Sequence, residues 1–155
     1  MCRLGVLAIF LGACAGAAGP APAQGAVAYS EVATTQASKY DGPPALMVGT
    51  TDTASASIVA LVPQAAATQG RVLVAAFEGG QRTGGYAIRI DSIERTADRL
   101  TIHATFTAPP AGGIVIQVLT SPVHVVSIAQ ADAAGLREAV LLDSAGTERS
   151  RTTLR

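Results

Sequence analysis

Two alternating runs dominate what this chain can become. In the first, Tyr86, Ile88 and Ile90 fall on one face, and Ala87, Arg89 and Asp91 on the other. In the second, Leu100, Ile102, Ala104 and Phe106 alternate with Thr101, His103, Thr105 and Thr107. A period of two marks a strand with one face buried and one wet. The polar link from Glu94 to Arg99 joins the runs as a β-hairpin. A lone hairpin is marginal in water, so its apolar face needs a second layer.

The flanking sequence offers that layer. Residues 26–33, "AVAYSEVA", read as a first strand. A turn at Asp41-Gly42-Pro43-Pro44 precedes a short strand, Ala45–Val48. Thr51, Asp52 or Thr53 caps a weak helix that runs to Val62 and is limited by Pro63. Arg71–Glu78, "RVLVAAFE", is apolar without alternation, which suits a central strand covered on both faces. After a loop at Pro109–Gly113, "IVIQVLT" (114–120) and "VHVVSIA" (123–129) read as two strand segments interrupted at Ser121-Pro122. Pro122 cannot donate to a ladder and marks a bend or an edge. Residues 139–154 read as a terminal hairpin about Ser144-Ala145-Gly146. The expected class is mainly β: a small antiparallel sandwich or open barrel with room for one short helix.

The N-terminus is of another kind. One positive charge at Arg3 precedes an apolar run from Leu4 to Leu11 and then small residues. This is the layout of a secretory signal peptide, and the run is shorter than the roughly 20 residues a bilayer span needs. "LGAC", Leu11 to Cys14, resembles the lipobox of bacterial lipoproteins, in which cleavage before the cysteine frees its thiol for a lipid. The expected organisation is a signal peptide over 1–13, a lipidated Cys14 heading a Gly/Ala/Pro tether over 14–26, and a β domain over 27–155. Cleavage after Ala23 is the alternative, giving a soluble secreted protein. The two cysteines are Cys2 and Cys14, so the expected domain holds no disulfide and no thiolate.

Net charge is zero, and the eleven basic residues are scattered. Nucleic-acid binding, which needs clustered positive charge, is therefore not expected. No nucleophile elbow, P-loop or dinucleotide fingerprint is present. The two histidines, His103 and His124, sit in separate strands without an obvious carboxylate, so they read as solvent-facing or core-capping rather than metal-ligating. Asp91, Glu94 and Asp98 mix with Arg89, Arg95 and Arg99, the pattern of a solvated hairpin end rather than of paired catalytic carboxylates. No catalytic residue, metal or cofactor is expected.

Residues 71–129 resemble the C-terminal domain of PrcB, a protease-complex subunit. The resemblance is carried by Phe77 with Gly79 or Gly80, by Thr83-Gly84-Gly85-Tyr86 opening a strand, and by Ile88 and Ile90. It continues at Pro109, Pro110, Pro122, Val125 and Val126 and covers roughly Ala45 to Ala129. The chain departs from the family where tryptophans are usual in the helix and "ASASIVALV" stands instead. The resemblance implies a small exported β domain, often on a lipoprotein. It also implies an accessory role, because the subunit that names the family binds a secreted serine protease of the subtilisin type.

The residues themselves place a candidate protein-binding loop at Gly79, Gly80, Thr83, Gly84, Gly85 and Tyr86. Glycines there let the chain reverse and expose backbone hydrogen-bonding groups to a partner. The structural alternative is a tight corner with Tyr86 packed beneath it, and for Gly84 and Gly85 it is the better reading. The expected function is a lipid-anchored, non-enzymatic module of the bacterial cell envelope that binds another exported protein, such as a protease. The alternative is a small-molecule or envelope-glycan binding domain with a pocket near Tyr86. A hydrolase is a third, poorly supported, reading.

Overall fold

The hairpin forms as expected, and its second layer is a sheet built around the continuous apolar strand. The computed structural model of the protein describes residues 24–66 and 69–154. In chain order the elements are β1 (Gly25–Ala26), β2 (Tyr29–Thr35), β3 (Ala45–Val48), α1 (Asp52–Leu61), β4 (Arg71–Phe77) and β5 (Ala87–Thr96). They continue as β6 (Arg99–Thr107), β7 (Val123–Ala129), α2 (Gln130–Ala133), β8 (Glu138–Leu142) and β9 (Glu148–Thr153). One sheet has the order β1-β5-β6-β8-β9 and the other β2-β7-β4-β3. All pairs are antiparallel except β6 with β8. The result is a mainly β sandwich that does not close into a barrel. The sheets begin at Gly25 and Ala26, the last two residues of the expected tether. The expected signal peptide and Cys14 lie outside the described residues. Among the described residues, no helix is long and apolar enough to cross a membrane.

Why β4 lacks alternation is clear from its two faces. Val72, Val74 and Ala76 point between the sheets and meet Ile88, Ile90, Ile102, Val126 and Ile128. Leu73, Ala75 and Phe77 point outward, where Ile58 of α1 and Val62, just past its end, cover them. A helix on one face and a sheet on the other leave no wet side. α1 starts at an N-cap, Thr51, whose Oγ1 accepts from the Ala54 N–H at 3.2 Å.

The two sheets are pinned by polar side chains as well as by apolar packing. β5 bulges between Ile90 and Ser92. His124 of β7 accepts the Ile90 N–H at Nδ1 (2.8 Å), and its Nε2 faces the Glu31 carboxylate at 3.3 Å. The Tyr29 hydroxyl reaches the Ile90 and Asp91 carbonyls at 3.2 Å each. The Ile90 N–H and the Ile90 and Asp91 carbonyls at the bulge thus find side-chain partners, and His124, fully buried, caps the core.

Two expectations need correction. Residues 114–120 do not form a strand; they cross the sandwich end as an extended loop that pairs only at Thr120, with Gln81. The reason is topological: β6 is already flanked by β5 and β8, so the segment finds no free edge beside it. Arg95 is not part of a solvated hairpin end but is 1 % exposed. Its guanidinium donates to the carbonyls of Asp132 (2.5 Å), Ala134 (2.6 Å) and Ala97 (3.1 Å), filling the carbonyl cradle where α2 ends.

Candidate functional site

One end of the sandwich gathers the segment that the sequence singles out. There β2, β4 and β6 end and β3, β5 and β7 begin, so loops 36–44, 78–86 and 108–122 meet. The glycine segment and the 114–120 loop are tied together. Gln81 and Thr120 exchange backbone hydrogen bonds at 2.7 and 2.9 Å, and the Gly84 N–H donates to Ile116 O at 3.0 Å. The Thr120 hydroxyl donates to Thr83 O at 3.0 Å.

Gly79 and Gly85 are required by geometry. Gly79 has φ +94°, and a Cβ there would stand 2.6 Å from Gly42 O and 3.0 Å from Pro43 C. Gly85 has φ +92°, and a Cβ would meet Pro109 Cβ at 2.9 Å. Both conformations favour glycine, and both approaches exclude a side chain. These two residues bring loops together. Gly84 is buried under Ile116, so it presents no backbone outward. Of the six candidate residues, Gly80 and Gly85 are exposed, Thr83 and Tyr86 half-buried, and Gly79 and Gly84 buried. Gly79 and Gly84 thus lie in the floor of the rim, while Gly80 and Gly85 reach its surface.

What stands on that floor is apolar. Ile114, Ile116 and Leu119 are 105, 72 and 82 % exposed, and Val118 is 45 % exposed. Four large aliphatic side chains within six residues on one loop outside the sheets are unusual for a free surface. In sequence these side chains are hidden in the expected strand segment 114–120, and only its release as a loop exposes them.

Two open clefts flank the loop pair. One, of about 420 Å³, lies between Tyr40, Asp41, Arg82 and Leu119. The other, of about 410 Å³, lies between Pro43, Pro44, Glu78, Tyr86, Phe106 and Arg149. Glu78 was also missed as a site residue. It occupies the next inward position after Val72, Val74 and Ala76, one step beyond the end of β4, so its carboxyl enters the mouth of the sandwich. It is 6 % exposed, and its Oε2 is sealed from solvent without a hydrogen-bond donor. Burial pushes this carboxyl up to about 7, against the opposing pull of Arg149. Arg149 itself lies over the Phe106 ring, 4.5 Å from its centroid, and 3.5 Å from Asp143. The Asp143 carboxyl is held below its ordinary value, first by the Thr147 N–H and then by the Ala145 N–H and Arg149.

His103 and His124 lie in different sheets, and among the described residues no three His, Cys, Asp or Glu side chains group as a metal site. Arg89 pairs with Asp91 at 2.8 Å and Arg99 with Glu138 at 2.6 Å, both near the surface.

Residues 72–129 match the family described as PrcB C-terminal. The match runs from β4 to the end of β7 and so takes in the glycine segment, the hairpin and the apolar loop. The resemblance carried by Thr83-Gly84-Gly85-Tyr86 is thereby shown for this part of the chain. No curated protein matches the chain, and no solved structure does.

Proposed function

We propose, from the premise that residues 72–129 match the PrcB C-terminal family, that this protein is a non-enzymatic accessory module that docks on another exported protein. The observation that carries the reading is the exposed aliphatic loop 114–119, held upright by the Thr83–Tyr86 segment within the matched region. An exposed aliphatic cluster beside clefts that carry Asp41, Glu78, Arg82 and Arg149 is the usual composition of a protein interface, in which an apolar centre is ringed by wetter contacts. In this reading Cys14 carries a lipid, the Gly/Ala/Pro tether sets the reach from the membrane, and a secreted protease is one class of partner. The partner is contacted or stabilised by the rim, and the glycines keep the rim's shape.

The test is affinity capture from the envelope of the organism that encodes the protein. The bait is the full chain, compared with Ile116→Asp/Leu119→Asp, whose side chains are already in water and whose fold is checked by circular dichroism. A protein retained by the wild type and lost with the variant supports docking at this rim. Retention of the same protein by both baits moves the interface elsewhere, and retention of nothing by the wild type removes the accessory reading.

A further inference from the structure

We infer that the cleft above Glu78 receives one cationic group, an ammonium or guanidinium on a basic side chain of the docked polypeptide. Only the source of the cation rests on the docking reading; the chemistry of the cleft stands by itself.

A carboxyl oxygen sealed from water without a donor needs an account, because buried polar groups are nearly always paired. Glu78 has no such pairing at Oε2, although it stands at the mouth of a cleft of about 410 Å³. Its charged neighbours across that cleft are few. Arg149 from β9 lines the cleft and pulls on the Glu78 charge, but its guanidinium rests on Phe106 and faces Asp143 and gives Oε2 no hydrogen bond. Tyr86, at the entrance to β5, brings the other ionisable group, a phenol. Oε2 of Glu78 therefore lacks a hydrogen-bonded partner of its own.

The walls select the kind of guest. Tyr86 and Phe106 offer aromatic rings and Pro43 and Pro44 an apolar rim. Aromatic faces attract cations, and the Arg149 guanidinium on Phe106 shows that this ring accepts one. An aliphatic guest would bury the carboxyl further without pairing it, and an anion would meet it head-on. A long stem with a cationic tip satisfies both wall and floor, as lysine and arginine side chains do. Gln81 lines the same cleft and pairs with Thr120 at the end of the aliphatic loop, so one docked segment can fill both.

The experiment is a titration of the ¹⁵N-labelled full chain, solubilised in neutral detergent at pH 8, with Nα-acetyl-arginine methylamide. The uncharged citrulline and norleucine analogues are titrated alongside. The expected result is saturable shifts of the Gly79, Gly80, Tyr86 and Phe106 amides with the arginine compound. The citrulline analogue should bind at least about tenfold more weakly, and Glu78→Gln should erase that preference. Ile116→Asp should leave arginine binding intact while it abolishes partner capture, which separates this inference from the docking reading. No shift at these amides overturns the inference. So does equal binding of the arginine and citrulline compounds by the wild type, which decides the matter even if Glu78→Gln does not fold.

Discussion

Glu78→Gln removes a buried ionisation and keeps the side chain's shape. The Glu78 carboxyl ionises at about 7 in the folded protein against an ordinary 4.5. Folding therefore favours the protonated form, and the stability associated with it is complete below about pH 4.5. It is lost as pH rises through about 7. The gap corresponds to at most about 3.5 kcal/mol, at about 1.4 kcal/mol for each pH unit. Guanidinium unfolding followed by circular dichroism at several pH values from 4.5 to 8 measures it. The wild type and Glu78→Gln should be similar at the acid end and diverge as pH rises, with the variant more stable by about 2–3 kcal/mol at pH 8. Other carboxylates titrate in both proteins and cancel in the difference. Parallel curves over the whole range would refute the reasoning, because Glu78 would then ionise as easily folded as unfolded.

Arg95→Lys should cost about 3 kcal/mol or more in the same unfolding assay, since one ammonium cannot reach the carbonyls that the fork satisfies. Arg95→Met should cost at least as much. His124→Ala should cost about 3 kcal/mol through a cavity and an unpaired Ile90 N–H. His124→Asn should recover part of that loss, because its Oδ1 can stand where Nδ1 accepts. Gly79→Ala should destabilise by clearly more than Gly146→Ala. Both glycines have positive φ, but a Cβ at Gly146 meets nothing within 4 Å, whereas at Gly79 it meets backbone; thermal unfolding ranks the two.

The fold was legible wherever a pattern had one explanation. Alternation in β5 and β6 and its absence in β4 each followed from which faces are covered. The cap at Thr51 and the terminal hairpin followed from local chemistry. Other features depended on neighbours that no local pattern names. The step from Ile90 to Ile93 breaks the period of two and marks the bulge at Asp91, and carrying the inward face past it places Arg95 in the core. The parallel pairing of β6 with β8 requires a crossover through the other sheet. Ile114, Ile116 and Val118 alternate as a strand would, yet β6, which precedes them, is already flanked by β5 and β8. At the site, the glycines stood out in the sequence while the groups with chemistry did not. Glu78 becomes visible only when the inward series of β4 is extended by one step.

The central claim is that the aliphatic rim is where another protein sits. The most direct measurement is photo-crosslinking in the native envelope, with benzoylphenylalanine at Ile116 and, as a control, at Gln130, which is exposed at the opposite end of the sandwich. The account expects one discrete adduct from position 116, absent from position 130 and identified by mass spectrometry as an exported protein. Adducts of the same partner from both positions, or none from position 116, would contradict it.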